Sequence, residues 1–103
     1  MAYVVVLTTV PKLSQARAII RTLLKNRLAA CITLSSPVSS HYVWKGKKEQ
    51  SREYVLMIKT RRALFSKLEK VLHKIHPYEV PEILALPVTA GSRKYLDWLK
   101  LST

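Results

Sequence analysis

Hydrophobic and polar positions along the chain change their period several times, and each change predicts a new element. Residues Ala2 to Thr9 form an unbroken β-branched and apolar run, which is typical of a strand covered on both faces. A helical period follows, and Arg17, Arg21 and Lys25 mark its polar face. We expect Ser14 to be the N-cap of this first helix.

Two further strands are predicted in the middle of the chain. Residues 30–34 and 38–44 are typical of one long strand that is interrupted near Pro37, a residue tolerated at edges and bulges. After a turn at residues 45–47, the apolar run 54–60 predicts the third strand.

The last third of the chain predicts a helix, a strand and a closing helix. Apolar positions recur with a helical period between Leu64 and Ile75. This helix must end near His76, because the residue before a proline avoids the helical conformation. Residues 83–88 then predict the fourth strand, and Gly91 and Ser92 open a short helix.

This order of elements, β-α-β-β-α-β plus a terminal helix, predicts an α+β, ferredoxin-like fold. At 103 residues the chain has the size of one domain, residues 1–103. Both helices are expected on one face of an antiparallel sheet, yet strands one and three are apolar on both faces. We therefore expect other copies of the chain to cover the second face.

The charge balance favours an anionic partner over a free metal ion. Eighteen Lys and Arg residues oppose six acids, which gives a net charge of +12. Such an excess suits phosphates, because surface cations release counterions when they neutralise them. The cations form no single tract, however, so a solvated surface is the preferred interpretation. Binding of nucleic acid or a small anion stays an open alternative.

Compartment and reaction class are constrained more weakly. The apolar run at the start is far shorter than the roughly 20 residues that cross a bilayer, and we expect no membrane partner. The single cysteine, Cys31, agrees with a reducing compartment, so we expect a cytoplasmic protein. With two glycines the chain has no phosphate-binding glycine loop, and no Ser-His-Asp order is present. We expect no enzymatic activity.

Several motifs together resemble one family. They run in order along the chain: Arg27-Leu-Ala-Ala-Cys31, Ser40-His-Tyr42-Val-Trp44-Lys-Gly46-Lys47, Lys59-Thr60, His76-Pro-Tyr78-Glu-Val-Pro81-Glu82-Ile83, Leu86-Pro-Val88 and Tyr95-Leu-Asp-Trp98-Leu. This set resembles the CutA family of divalent-cation tolerance proteins. The resemblance implies a ferredoxin-like homotrimer, cytoplasmic in bacteria, that is associated with tolerance of or response to metal ions such as copper.

The same resemblance leaves a second function open. CutA-like trimers are similar in structure to the trimeric nitrogen-regulatory signalling proteins, which bind ligands in clefts between subunits. An anion- or nucleotide-binding signalling trimer is therefore an alternative to metal response, and a basic nucleic-acid-binding module is a third.

The chain departs from the copper-binding pattern of some bacterial relatives. Thr8 and Ile75 stand where the resemblance would place a cysteine and a histidine, so only His76 of that ligand set is present. Neither a hydroxyl nor an aliphatic side chain replaces a soft sulfur or an imidazole. The candidate metal ligands are His76, with Cys31 and Glu79 as secondary choices, and we expect weak copper binding.

The remaining motif residues have structural interpretations. Tyr42, Trp44 and Trp98 are expected to pack at a subunit interface, and Tyr78 belongs to the same motif set. Glu79 and Glu82 could form an acid/base pair, but we prefer ion pairs with Lys or Arg, with Lys59 and Thr60 as candidate partners for Glu82. His76 is expected at a hydrogen-bonded helix end, and Cys31 is expected to be buried.

Overall fold

The computed structural model describes all residues from 1 to 103. The elements are β1 (Tyr3–Val10), α1 (Leu13–Lys25), β2 (Cys31–Leu34), β3 (Val38–Trp44), β4 (Lys47–Arg61), a single 3-10 turn (Arg62–Leu64), α2 (Phe65–Ile75), β5 (Leu84–Pro87) and α3 (Arg93–Leu101). No helix combines the length and the apolar character needed to span a membrane.

The sheet has the strand order β2-β4-β1-β5, and every neighbouring pair is antiparallel. Helix α1 joins the parallel strands β1 and β2, and α2 joins the parallel strands β4 and β5. This arrangement confirms the predicted ferredoxin-like plan with a closing helix. The predicted second strand is present as two strands, β2 and β3, and β3 pairs only with β4.

Strand β4 begins seven residues earlier than the sequence predicts. Residues 47–53 are polar on both faces and give no alternating pattern, but they pair with β3 from Trp44↔Lys47 to Val38↔Glu53. The two-residue turn Lys45-Gly46 has φ of 50° and 78°, which suits the right-handed twist of a tight hairpin. This hairpin elongates the molecule, whose radius of gyration is 14.2 Å against about 13 Å for a compact chain of this size.

The core lies between the sheet and helices α1 and α2. Side chains of β1 alternate, so that Val4, Val6 and Val10 are buried with Leu56 and Ile58 of β4. Ile19 and Leu23 of α1 and Leu68 and Leu72 of α2 close this layer. Each fully buried side chain of this size contributes about 1.5 to 3 kcal/mol relative to an exposed one.

The helix ends agree only in part with the sequence prediction. Ser14 is not an N-cap, because the helix begins at Leu13 and the carbonyl of Lys12 already accepts bonds from the amides of residues 15 and 16. Helix α1 ends in a Schellman motif with Arg27 at φ 55°, in which the Leu28 amide donates to the Leu23 carbonyl. Helix α2 ends before His76, as predicted.

The second face of the sheet is apolar and only partly covered. Helix α3 packs at one end of this face, where Leu99 is buried and the Arg61 guanidinium donates to the Thr103 hydroxyl at 2.8 Å. The rest is open, and Leu84 and Leu86 are 55% and 46% exposed. The apolar sheet face consists of six side chains, which register and alternation place together: Val5, Leu7, Val55, Met57, Leu84 and Leu86.

Candidate functional site

A cleft of about 530 Å³ opens where the β3–β4 hairpin meets the end of β1 and the segment after α2. Aromatic side chains and carboxylates dominate its lining. The lining residues are Thr9, Ser40, His41, Tyr42, Trp44, Glu49, Glu53, Tyr78, Glu79, Val80 and Glu82. We refer to this site as the acid-lined cleft.

The cleft gathers acids in a chain that has few of them. Four glutamates line it, although the whole chain has only six acidic residues against eighteen Lys and Arg. The only contact of salt-bridge length in the structure joins His73 and Glu69 on α2, so no Lys or Arg neutralises a cleft glutamate. The predicted Lys or Arg partners of Glu79 and Glu82 are therefore absent within one chain. The cleft is a local negative region on a positive protein.

The sequence motifs converge on this cleft. Tyr42 and Trp44 come from the hairpin, whereas Tyr78, Glu79 and Glu82 come from the segment after α2. The ammonium of Lys45 lies 5.9 Å from the Trp44 ring centroid, so one ring face already contacts a cation. Side chains from two distant motifs thus form one surface.

Glu53 and Tyr78 form the buried part of the cleft. Glu53 is only 5% exposed, and the Tyr78 hydroxyl donates to its carboxylate at 2.6 Å. Burial, followed by the hydrogen bond to this carboxylate and its negative charge, raises the pKa of Tyr78 well above its ordinary value. The phenol therefore keeps its proton and donates it in a hydrogen bond to the Glu53 carboxylate.

His76 is buried beneath the cleft and forms hydrogen bonds with two of the segments that line it. Its Nε2 lies 2.9 Å from the Thr9 carbonyl and 3.1 Å from the Thr8 hydroxyl, while its Nδ1 accepts a bond from the Tyr78 amide. These partners assign the proton to Nε2. Burial lowers the pKa of His76, an effect that the Thr9 bond and Glu53 oppose. A neutral imidazole therefore ties β1 to the start of the Tyr78 segment.

Cys31 and Lys59 lie elsewhere, on the sheet face that α3 partly covers. The Lys59 ammonium donates to the Thr33 hydroxyl at 2.8 Å and lies 3.7 Å from the Cys31 sulfur. Cys31 is half-buried, so the prediction of a buried thiol is wrong. Its pairing with Lys59 places the side chain on the sheet face opposite α1 and α2, away from the core. Thr60 is fully buried and donates to the Leu28 carbonyl, which leaves it unable to pair with Glu82.

The predicted ligand set does not fit copper. No group of three His, Cys, Asp or Glu side chains is close enough to hold a metal ion. Both nitrogens of His76 already have hydrogen-bond partners, and the neighbouring Thr8 supplies a hydroxyl instead of a sulfur. Glu79 lines the cleft, whereas Cys31 is on the covered end of the apolar side of the sheet. The three candidate ligands are not assembled within one chain.

Trp98 is also separate from the cleft. It lies on α3, 45% exposed, with its ring centroid 5.6 Å from that of Tyr95. Within one chain Trp98 has no partner subunit to pack against, so its role at a subunit interface stays a prediction.

Sequence reasoning gave no role in a site to Glu53, Glu49, Thr9, Ser40 or His41. Glu53 is the residue at which β4 stops pairing with β1 and begins to pair with β3. The segment around it is polar throughout, so hydropathy alone gave no sign that one of its carboxylates is buried. The scarcity of acids was the available signal, because three of the six acids are at residues 49, 79 and 82 beside aromatic motifs.

Known proteins resemble this chain over almost its full length. A family profile described as CutA1 divalent ion tolerance protein matches residues 4–102. The divalent-cation tolerance protein CutA of Thermus thermophilus is 44% identical over 99 residues, which cover 96% of this chain and 96% of that protein. The chloroplastic protein CutA of Arabidopsis thaliana is 41% identical over 100 residues, which cover 97% of this chain but 55% of the plant protein.

A solved structure agrees equally well in fold. The crystal structure of CutA1 from Oryza sativa superimposes with a TM-score of 0.96 at 38% identity and covers 100% of this chain and 94% of the rice chain.

Proposed function

Because the chain belongs to the CutA1 divalent ion tolerance family, we propose that it is a non-enzymatic protein that responds to cations and acts as a homotrimer. The acid-lined cleft is the observation that carries this proposal. Relatives are named for tolerance of divalent cations, and the cleft is where this basic chain collects its negative charge.

The cleft suits cations for a physical reason. Glu49, Glu79 and Glu82 provide oxygen atoms at the opening, and Glu53 adds a buried charge behind them. Hard divalent cations prefer oxygen ligands. Because no three of these carboxylates are close enough to hold one ion within a single chain, the cleft attracts cations through the field that several carboxylates focus in a concave site, not through a preformed ligand set. The same charge disfavours a nucleotide or another anion in this cleft, which argues against the anion-binding alternative for this site.

Charge-neutralising variants test the role of the cleft. A Glu49→Gln/Glu79→Gln variant removes two exposed cleft charges, and Glu69→Gln/Asp97→Asn removes the two acids outside the cleft. Calorimetric titrations of Ca²⁺, Mn²⁺ and Zn²⁺ should show weaker binding for the first variant and wild-type binding for the second. Equal loss in both variants would show that the cations bind general surface charge.

The homotrimer proposal is supported by the apolar sheet face. Val5 and Leu7 of β1 and the exposed Leu84 and Leu86 of β5 would be costly to leave in water. Light scattering at high salt should give about three times the 11.8 kDa chain mass. A folded monomer at micromolar concentration would contradict the proposal, and Leu86→Lys is expected to weaken assembly if this face is buried in the trimer.

Copper is proposed as a weak ligand at most. The donor set does not fit a dedicated copper site, so residual binding should depend on His76, with Cys31 or Glu79 contributing only through contacts between subunits. Titration with Cu(II), and with Cu(I) under anaerobic conditions, should give micromolar or weaker affinity. Stoichiometric nanomolar binding that survives His76→Ala would contradict this expectation.

A cytoplasmic location is part of the same proposal. The free cysteine supports it, because free thiols persist in reducing compartments. The name of the Arabidopsis relative places that protein in the chloroplast. Fractionation of the native host with an antibody to the chain would test the location.

A further inference from the structure

The two helices that cover the sheet carry a dense group of cations on their outer side. We define the basic helical layer by six exposed residues: Arg17, Arg21 and Lys25 of α1, and Lys67, Lys70 and Lys74 of α2. None of these six side chains forms a salt bridge or donates a hydrogen bond within the chain.

Each helix contributes one row of three cations, and the spacing within a row makes the charges close neighbours. Arg17, Arg21 and Lys25 follow each other at intervals of four residues, and those on α2 at intervals of three and four. Side chains at these intervals have Cβ atoms about 5 to 6 Å apart on one helix face. Like charges so spaced destabilise a helix by about 0.2 to 0.5 kcal/mol per pair, and no adjacent acid offsets this in α1.

The fold places the two rows side by side. Helices α1 and α2 contact each other on the same face of the sheet and run antiparallel, because the strands that precede them, β1 and β4, are antiparallel. Packed helices are about 8 to 10 Å apart, so six cations occupy an area only about 10 to 20 Å across. Glu69 is the only acid on either helix, and it contacts His73.

This surface stays available if the chain assembles through the other side of the sheet. The apolar sheet face lies opposite α1 and α2, so packing there would leave the basic helical layer exposed. A homotrimer would present three such layers.

We propose that the basic helical layer binds the phosphate backbone of nucleic acid without reading its sequence. A duplex carries one negative charge per about 1.7 Å of its axis, a density that rows of unpaired Lys and Arg complement. The exposed aromatic residues Tyr42, Trp44, Tyr95 and Trp98 all lie outside the two helices, so this layer has no platform for base stacking.

The observations favour nucleic acid over a lipid surface. A helix that binds a bilayer inserts an apolar face that contains Trp, Phe or Leu. Here the apolar faces of α1 and α2 are already buried, with Ile19, Leu23, Leu68 and Leu72 each no more than 1% exposed. Attachment to lipid would therefore depend on headgroup charge alone, whereas a duplex offers closely spaced phosphates to both rows.

Matched variants separate this layer from the general positive charge. Arg17→Gln/Arg21→Gln/Lys25→Gln and Lys67→Gln/Lys70→Gln/Lys74→Gln each remove three charges from one row. Lys45→Gln/Lys47→Gln/Lys48→Gln removes three exposed charges from the hairpin as a control. Using two separate layer variants, each checked for helicity by circular dichroism, keeps the test valid if one of them folds poorly.

Fluorescence anisotropy of a labelled 20-base-pair duplex, measured from 50 to 200 mM salt, provides the test. Each layer variant should reduce the slope of log affinity against log salt by up to about 2.7, and the hairpin control should change it much less. Two duplexes of unrelated sequence should bind alike. Equal loss in the control, no duplex binding at 50 mM salt, or binding to phosphatidylserine vesicles without binding to duplex would overturn the proposal.

Discussion

The acid-lined cleft and the basic helical layer are built in opposite ways. In the cleft, charge is partly buried and fixed by hydrogen bonds, since Tyr78 holds Glu53 and the backbone amide of Tyr78 is held by His76. In the layer, all six Lys and Arg side chains are exposed, and none has a hydrogen-bond or salt-bridge partner in the chain. Buried, bonded charge depends on the fold around it, whereas exposed charge responds mainly to salt and to external ligands.

This comparison predicts which substitutions alter stability and which alter binding. Substitution of the buried residues beneath the cleft should destabilise the chain strongly and change the pH dependence of its stability. Changes in the layer should leave the fold intact, alter stability only slightly and act mainly on interactions with anions.

The largest effect is expected at His76. His76→Ala removes a buried ring that forms hydrogen bonds with the Thr9 carbonyl and the Tyr78 amide. It should therefore lower the free energy of unfolding by about 2 to 4 kcal/mol. His76→Gln can replace part of this bonding and should cost less. Urea unfolding of both variants measures the difference, and a loss below about 0.5 kcal/mol in His76→Ala would contradict the role assigned to the imidazole.

A smaller effect is expected for the pair of Tyr78 and Glu53. Tyr78→Phe leaves the buried carboxylate without its phenolic donor and should destabilise the chain by about 1 to 2 kcal/mol. Glu53→Gln should cost about as much. A double-mutant cycle should give a coupling of about 1 kcal/mol, and additive effects would show that the 2.6 Å contact contributes nothing specific.

The pH dependence of stability should also come from beneath the cleft. The folded pKa of His76 lies below its unfolded value of about 6.5, so the unfolded chain binds the proton more readily. This contribution is complete above pH 6.5 and decreases as the pH falls through that value towards the folded pKa. Urea midpoints at pH 8, 6.5 and 5 should decline in the wild type, and the decline should be shallower in His76→Gln. Parallel profiles would contradict the assignment.

The smallest effect on stability is expected in the basic helical layer. Each three-site glutamine variant relieves repulsion between like charges, so it should raise the free energy of unfolding by no more than about 0.5 to 1 kcal/mol. The gain should shrink as salt screens the charges. Destabilisation by more than 1 kcal/mol would show that these side chains have structural roles.

The two regions also differ in how much the sequence revealed. Hydrophobic periodicity predicted the order of helices and strands along the chain, because burial on a sheet or helix imposes a regular pattern. The proline after His76 predicted where α2 ends. The early start of β4 was missed, because residues 47–53 pair through their backbone while their side chains stay polar. The basic row of α1 was visible directly from its spacing.

The cleft was harder to predict, because its parts are far apart in the chain. Tyr78 and Glu53 are 25 residues apart, and His76 lies 68 residues from Thr8. Motif residues such as Trp44 and Glu82 were singled out, but their convergence and the burial of Glu53 depend on how the hairpin meets β1. The sequence pattern therefore predicts individual helices and strands well, but it predicts contacts between residues that are distant in the chain poorly.

The most direct test of cation binding in the cleft is residue-resolved line broadening of backbone amides by Mn²⁺ in NMR spectra. Broadening falls steeply with distance from the ion and therefore locates it on the surface. At substoichiometric Mn²⁺ the account predicts selective loss of signals from Glu49, Tyr78 and Glu79 and none from Arg21 or Lys70. Broadening centred on Glu69 or Asp97, or spread uniformly over the chain, would contradict the assignment of cations to the acid-lined cleft.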